Sequence, residues 1–350
     1  MTNVFDIAAL GSRVRLAFDD DVPTATVEAV RSAWIDAALR TPGAPDALVP
    51  VTAEREPDAM AERLTVEVTL AALRQRRGEL LMFHAAGIAD ARGRVAAFVG
   101  PSGRGKTTLA RTLGQHFGYV SDETVGAEPG GRVLPYRKPL SVVRRGAPKQ
   151  QVAPRAFGLV DAGDVRLRLE ALTILDRDAT VETPIVESVD FCDAVAEIVP
   201  QMSYLADLSV PLQTLASTVD RIGGFTRLRY SDVGAVAPLV PGLLDHRGAG
   251  ETWHAVPAPQ GTVLGGKYTA APVLDAVRFG DRAVLFTGRR VQVLDGIAPV
   301  MWDALRAGHD LDGVVSAVTD EFGEPPHGDA RVIVESTMDQ LTGEGILTGA

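Results

Sequence analysis

The sequence predicts an α/β chain followed by a smaller α+β unit, and three observations predict it. A short, continuous apolar run at 94–99 passes into a glycine-rich turn and then into residues of helical spacing. A passage over 247–272 carries Gly248, Gly250, Pro257, Pro259, Gly261, Gly265, Gly266 and Pro272, the composition of a linker. Beyond it, three short strand-like stretches precede three stretches of helical periodicity. With 350 residues, 46% of them hydrophobic, the chain is long enough for two domains with packed cores.

Residues 1–60 read as a small α/β subregion resting on the next domain, with a strand-like stretch at 14–18 and a helical one at 26–39 that ends before Pro42, Gly43 and Pro45. Over 58–76 the residues Met60, Leu64, Val68, Leu70 and Leu73 recur at near-helical intervals and stop at Gly78. Strands at 80–85 and 94–99 then flank Asp90 and Gly93, both turn formers, and so predict a hairpin. After the second strand, Leu109, Ala110 and Leu113 hold helical spacing, and Gly114 and Gly118 stop it.

Between that strand and that helix stand Gly100, Pro101, Ser102, Gly103, Arg104, Gly105, Lys106 and Thr107, a complete GxxxxGK[ST] phosphate-binding loop. A backbone wrapped around a phosphate must aim several N–H groups inward, which requires dihedrals that glycine tolerates. The helix N-terminus behind the loop adds partial positive charge. Gly100, Ser102, Gly103, Arg104, Gly105, Lys106, Thr107 and Thr108 are therefore the expected nucleotide-binding residues. Lys106 would reach the β- and γ-phosphates, and Thr107 would offer its hydroxyl to a bridging magnesium ion.

The run Phe83, His84, Ala85, Ala86, Gly87, the hairpin, the loop, a helix and then Gly118, Tyr119, Val120, Ser121, Asp122 and Glu123 resembles the catalytic domain of HPr kinase/phosphorylase. It is most similar to the related proteins encoded with peptide-tailoring enzymes, and the resemblance spans roughly 64–245 in a domain taken as 61–246. It implies an ATP-dependent kinase with Asp122 as general base, Glu123 in the magnesium shell beside Thr107, and His84 near the acidic pair. The family has two aspartates where this chain has Asp then Glu, so the order of those two roles stays open. His84, beside apolar Phe83, reads equally as a satisfied core histidine. The family's Glu-x-Arg-Gly-x-Gly signature corresponds at best to Ala153, Pro154, Arg155, Ala156, Phe157 and Gly158; its glutamate is missing, which favours a one-way kinase over a phosphorylase.

After the expected linker, strands are predicted at 277–279, 283–287 and 291–294, with a turn at Gly288, and helices at 298–306, 311–322 and 330–342. Val293, Leu294, Asp295 and Gly296, then Met301 and Trp302, then Glu321, Phe322 and Gly323, and finally Leu341, Gly345, Ile346 and Leu347 resemble the PqqD family of peptide-recognition domains. This resemblance implies a winged-helix-like 273–350 unit that holds the leader of a ribosomally synthesised precursor peptide by adding a strand to a sheet edge, with the strand 291–294 and the last helix as walls. A winged helix that reads duplex DNA has a similar element count. Residues 275–350 carry thirteen acidic and six basic side chains, a formal −7, which opposes phosphate binding.

The whole chain carries a formal charge of −10, which disfavours nucleic acid and anionic membrane as partners. No basic start leads into a long apolar run and no stretch approaches about 20 apolar residues, so no membrane span is expected and the chain is read as cytoplasmic. Cys192, the single cysteine, forms no intrachain disulfide and reads as a small buried residue. The combined expectation is a kinase using ATP and magnesium to phosphorylate a Ser/Thr hydroxyl of a leader-bound precursor peptide, with other peptide-tailoring enzymes as further partners. A nucleotide-switched delivery module and a small-molecule kinase are the alternatives.

Overall fold

The computed structural model describes residues 3–144, 146–248, 250–257 and 268–349. Two compact units result, Met1–Ser209 with Ser217–Gly250, and Val210–Ala216 with Glu251–Ala350. No helix among the described residues is long and apolar enough to cross a membrane.

The first unit begins with β1 (Asn3–Ala9), β2 (Ser12–Phe18), α1 (Thr24–Ala33) and β3 (Ala47–Val51), the strands forming a sheet in the order β1-β2-β3. The sequence predicts a helix to residue 39, but α1 ends at Ala33. Beyond it the backbone turns back to pair with β1, through Ala8 N–H to the Ala37 carbonyl (2.7 Å) and Leu39 N–H to the Asp6 carbonyl (2.8 Å). Next, α2 (Pro57–Gln75) runs without a break across the boundary expected at 60. It buries Met60, Leu64, Val68, Ala72 and Leu73 in one core with Trp34, Leu80, Met82, Leu134 and Tyr136, so the N-terminal residues share their interior with the phosphate-loop region of the unit. Leu70, expected on the same stripe, is 40% exposed because two residues turn the helix by about 200° from Val68.

The rest of the unit comprises β4 (Leu81–Ala89), β5 (Arg94–Val99), α3 (Lys106–Leu113), β6 (Gly118–Ser121), β7 (Thr124–Ala127), β8 (Val133–Leu134), β9 (Leu140–Arg144), β10 (Ala147–Val152), β11 (Val160–Asp161), β12 (Arg168–Arg177), β13 (Ile185–Val189), α4 (Phe191–Ile198), β14 (Met202–Ser203), the part of α5 (Pro211–Ile222) from Ser217 on, β15 (Phe225–Tyr230) and α6 (Val240–Asp245). Before α5, which starts at Pro211, stands a short 3-10 turn at Leu205–Asp207. The main path of the large sheet is β11-β6-β4-β5-β12-β15-β13, while β9 and β10 form a separate two-stranded ribbon. β5 lies between antiparallel β4 and parallel β12, and every residue from Val95 to Val99 is buried, as a strand covered on both faces should be.

β4 is nine residues long, longer than the 80–85 strand expected, and it changes partners midway. Its first half pairs with β7, from Leu81 opposite Ala127 to His84 opposite Thr124, and its second half pairs with β5 and with β6. At that crossing Gly87 has no room for a side chain, since a Cβ would stand 2.7 Å from Val125 Cγ2 and 3.3 Å from Val120 Cβ. Gly87→Ala should therefore overpack the crossing and destabilise the unit by about 1–3 kcal/mol, measured by denaturant unfolding; a change near zero would show that the strands can spread.

The second unit contains β16 (Trp253–Ala255), β17 (Tyr268–Ala270), β18 (Asp275–Phe279), β19 (Arg282–Phe286), β20 (Val291–Leu294), α7 (Ala298–Arg306), α8 (Leu311–Phe322), α9 (Ala330–Gly343) and β21 (Leu347–Gly349). Two of these strands lie in the stretch read as linker: β16 extends the sheet to the order β16-β18-β19-β20, and β17 pairs with β21. Pro259, Gly261, Gly265 and Gly266 of that stretch lie outside the described residues. Asp310 and Asp329 cap α8 and α9 by accepting from the N–H groups of Gly313 (3.0 Å) and Arg331 (2.8 Å). Met301, Trp302, Leu305, Val314, Val318, Val334, Met338 and Leu341 form the helical side of its core.

Candidate active site

The chain leaves β5 at Val99 and enters α3 at Lys106, and the loop between them needs two left-handed residues, Gly103 at φ +85° and Gly105 at φ +88°. The first N–H of α3 to find a partner inside the helix is that of Leu109, on the Gly105 carbonyl (2.8 Å). The first-turn N–H groups before it are the donors that a helix start offers to an anion. Tyr230, at the end of β15, donates its hydroxyl to the Arg104 carbonyl (3.2 Å) and so ties the loop to the sheet.

Lys106 is buried and folds back over the loop, with Nζ 2.5 Å from the Gly100 carbonyl and 3.1 Å from that of Pro101. Burial holds its ammonium below the usual lysine range, with Glu123 and Asp122 pulling the other way. A phosphate would therefore meet a cation already stripped of most of its water, the condition under which charge pairing is strongest.

Asp122 and Glu123 occupy the break between β6 and β7, both of which pair with β4. The Ala85 N–H donates to the Glu123 carbonyl (3.1 Å), and Ser121 Oγ accepts from the N–H groups of Glu123 and Thr124 (3.1 Å each), which closes the bend. Because Ala85 is also the register partner of Val99, the acidic pair is set beside the start of the phosphate loop. Asp122 is only 3% exposed; Tyr119 donates its hydroxyl to Asp122 Oδ1 (3.0 Å), and Lys138 Nζ lies 3.2 Å from the same oxygen. Burial, with Asp122 next, raises the Tyr119 phenol far above its usual range, so it serves as a neutral donor. Glu123 is more open, with Oε2 3.8 Å from Lys138 Nζ and Oε1 3.4 Å from His84 Nδ1.

His84 Nδ1 also stands 3.1 Å from the Glu123 carbonyl oxygen, a geometry that places the ring proton on Nδ1. Burial first and Lys106 second lower its pKa below 6.5, while Glu123 and Asp122 oppose the shift.

A cavity of about 630 Å³ brings together Ser102, Gly103, Gly105, Lys106, Thr107 and Thr108 of the loop with His84, Asp122 and Glu123. Of the expected residues, Gly100 and Arg104 are absent from its lining; their carbonyls serve Lys106 and Tyr230. Arg111, Lys138, Ser141, Val142, Val143, Lys149 and Arg177 complete the wall, and the sequence pattern assigns none of them a role. The one signal that could have found Lys138 and Lys149 is scarcity, since lysine stands only at 106, 138, 149 and 267. Arg155, from the stretch compared with the family signature, pairs with Asp36 (2.6 Å) and does not line the cavity. Among the described residues no three His, Cys, Asp or Glu side chains group to hold a metal by themselves. Thr107 and Glu123, the two residues expected at a magnesium ion, both line the cavity.

This geometry has two measurable outcomes. Gly105→Ala has space for its methyl, the nearest atom being the Tyr230 hydroxyl at 3.5 Å, but not the dihedral, and should destabilise the loop by about 1–2 kcal/mol in thermal unfolding. The His84 imidazole should titrate below 6.5 by NMR. Because its folded pKa is depressed, the unfolded chain takes up the proton first, so His84 costs nothing above 6.5, costs stability progressively as pH falls toward the folded value, and keeps that cost below it. A midpoint at or above 6.5 would contradict the buried setting.

No protein-family model matches this chain, and no curated protein matches it. Among solved structures 38 chains match. One is the Hpr(Ser) kinase/phosphatase from Coxiella burnetii, at 11% identity and a TM-score of 0.24, covering 47% of this chain and 93% of that one.

Proposed function

We propose that this chain is an ATP-dependent phosphotransferase that phosphorylates a Ser or Thr hydroxyl of a ribosomally synthesised precursor peptide, held through its leader by the second unit. The observation that carries the reading is the convergence on one cavity of a glycine-turned phosphate loop, a buried lysine and two carboxylates set against that loop. Phosphoryl transfer asks for positioning and charge neutralisation more than for covalent chemistry, and these groups supply both.

Lys106 turns from the loop carbonyls to the β- and γ-phosphates, and the first-turn N–H groups of α3 hold the phosphate oxygens. Thr107 and Glu123 would hold a magnesium ion, which when bound would neutralise phosphate charge. Asp122 takes the proton of the acceptor hydroxyl; the acceptor oxygen bonds to the γ-phosphorus, and the bond from that phosphorus to the bridging oxygen breaks, so ADP departs with the electron pair. His84, neutral at pH 7, orients Glu123 through its Nδ1 proton.

The leader reading rests on β20, which pairs only with β19 among the described strands and so presents an open backbone edge for an added strand. Val332 and Ile333 on α9 are exposed apolar residues (61% and 41%) of the kind an amphipathic leader covers. Tethering through the leader raises the local concentration of the attached acceptor.

The test is intact mass of the precursor peptide after incubation with the full chain, ATP and magnesium, with and without the leader. Leader-dependent gain of one phosphate mass is expected. Lys106→Ala should abolish it, and Asp122→Asn should lower transfer by at least about 100-fold while nucleotide affinity stays within threefold. Nucleotide-dependent leader binding without transfer would replace the kinase by a switched delivery module, and transfer to small hydroxyl compounds by a chain lacking the second unit would replace the peptide by a metabolite.

A further inference from the structure

Lys138 is 3% exposed, and a lysine that far from water must have its charge answered. Its Nζ lies 3.2 Å from Asp122 Oδ1 and 3.8 Å from Glu123 Oε2, and it donates to the Pro139 carbonyl at 3.2 Å. The segment that delivers it is anchored on both sides. Tyr136, fully buried, donates its backbone N–H to the Val120 carbonyl (3.1 Å), and its hydroxyl lies 2.7 Å from that of Thr69 on α2. Arg137 is bonded to Asp161 on β11 (2.6 Å), and Pro139 restricts the backbone of Lys138 itself to extended conformations.

We propose that Lys138 is a positioning residue for phosphoryl transfer: it holds Asp122 by Oδ1, together with Tyr119, so that Oδ2 is the oxygen turned to the acceptor hydroxyl, and its charge balances the Asp122–Glu123 pair. The proposal rests on the kinase reading for its chemistry. Two adjacent carboxylates in a partly buried site repel each other, and a cation within reach of both offsets that repulsion. Lys138 supplies that cation, 3.2 Å from Asp122 and 3.8 Å from Glu123, on the wall of the cavity that Lys106 also lines. A divalent ion at Glu123 would share that carboxylate's field with the ammonium, so Lys138 would weaken the direct hold of Glu123 on such an ion.

The test uses the full chain with Lys138→Met and Lys138→Arg, each checked for folding by thermal melting. One arm follows ATP turnover with magnesium, by the precursor peptide and by water as acceptor. Lys138→Met should lower kcat by at least about 100-fold with KM for ATP within threefold, and Lys138→Arg should recover at least tenfold of the loss. The double variant with Asp122→Asn should fall no further than Asp122→Asn alone, since both changes act on one group. The second arm measures Mn2+ binding in the presence of ADP by electron paramagnetic resonance, where removing the ammonium should tighten Mn2+ by about fivefold or more.

A Lys138→Met enzyme with unchanged kcat, or one that loses kcat, nucleotide affinity and thermal stability together without rescue by arginine, overturns the proposal. If Lys138→Met does not fold, Lys138→Gln keeps a donor to Asp122 without the charge and is read by the same two arms. If the parent chain binds nucleotide but turns over none with either acceptor, the kinase reading fails by itself. Lys138 is then judged by the Mn2+ arm, where tightening upholds its charge-balancing role and no change rejects it.

Discussion

The structure depends on the double pairing of one residue. Ala85, midway along β4, has Val99 as its register partner on one side and donates its N–H to the Glu123 carbonyl on the other. Val99 ends the strand that feeds the phosphate loop, and Glu123 ends the bend that carries the acids. A hydrogen-bonded ladder fixes strand separation at about 4.8 Å, so the loop and the carboxylates cannot drift apart without breaking it. Everything placed around the cavity inherits that spacing, including His84, which sits one residue before Ala85 on the same strand.

Electrostatics explains why this arrangement needs so many partners. Lys106 and Lys138 are both buried, and so is Asp122, each in a place where an unanswered charge would be costly. The answers are local: loop carbonyls for Lys106, Asp122 and Glu123 for Lys138, and the Tyr119 hydroxyl for Asp122. The charges of two lysines and two carboxylates cancel beside a neutral histidine, and Arg111 and Arg177 add positive charge to the wall, where Lys149 is paired with Glu62 (3.0 Å).

The second unit solves a different problem. Its sheet buries Ala276, Ala283, Leu285 and Leu294 against helices that contribute Met301, Trp302, Val314 and Met338. β20 ends the sheet with half-buried Val291, Gln292 and Val293, and Gln292 spends its side-chain amide on the Glu344 carbonyl (2.8 Å) beyond α9. Trp302, named above with Met301 in the PqqD comparison, is core at 1% exposed, with Arg306 stacked on its ring at 4.3 Å.

The local elements and the phosphate loop were legible in the sequence because their causes are local. Glycine at 103 and 105 declares a left-handed backbone, the unbroken apolar run 94–99 declares a strand covered on both faces, and the stripe through Met60, Leu64 and Val68 declares a helix face. Errors fell where distant pairing overrode local preference: residues 37–39 left a helical pattern to bridge β1, and a stretch rich in glycine and proline supplied β16 and β17. Lys138 shows the limit most plainly. Its neighbours are prolines, an arginine and a tyrosine, and nothing in that run announces a buried ammonium 3.2 Å from a carboxylate sixteen positions earlier. That contact exists because Tyr136 bonds to Val120 and Thr69, and only the folded sheet and helix bring those partners together.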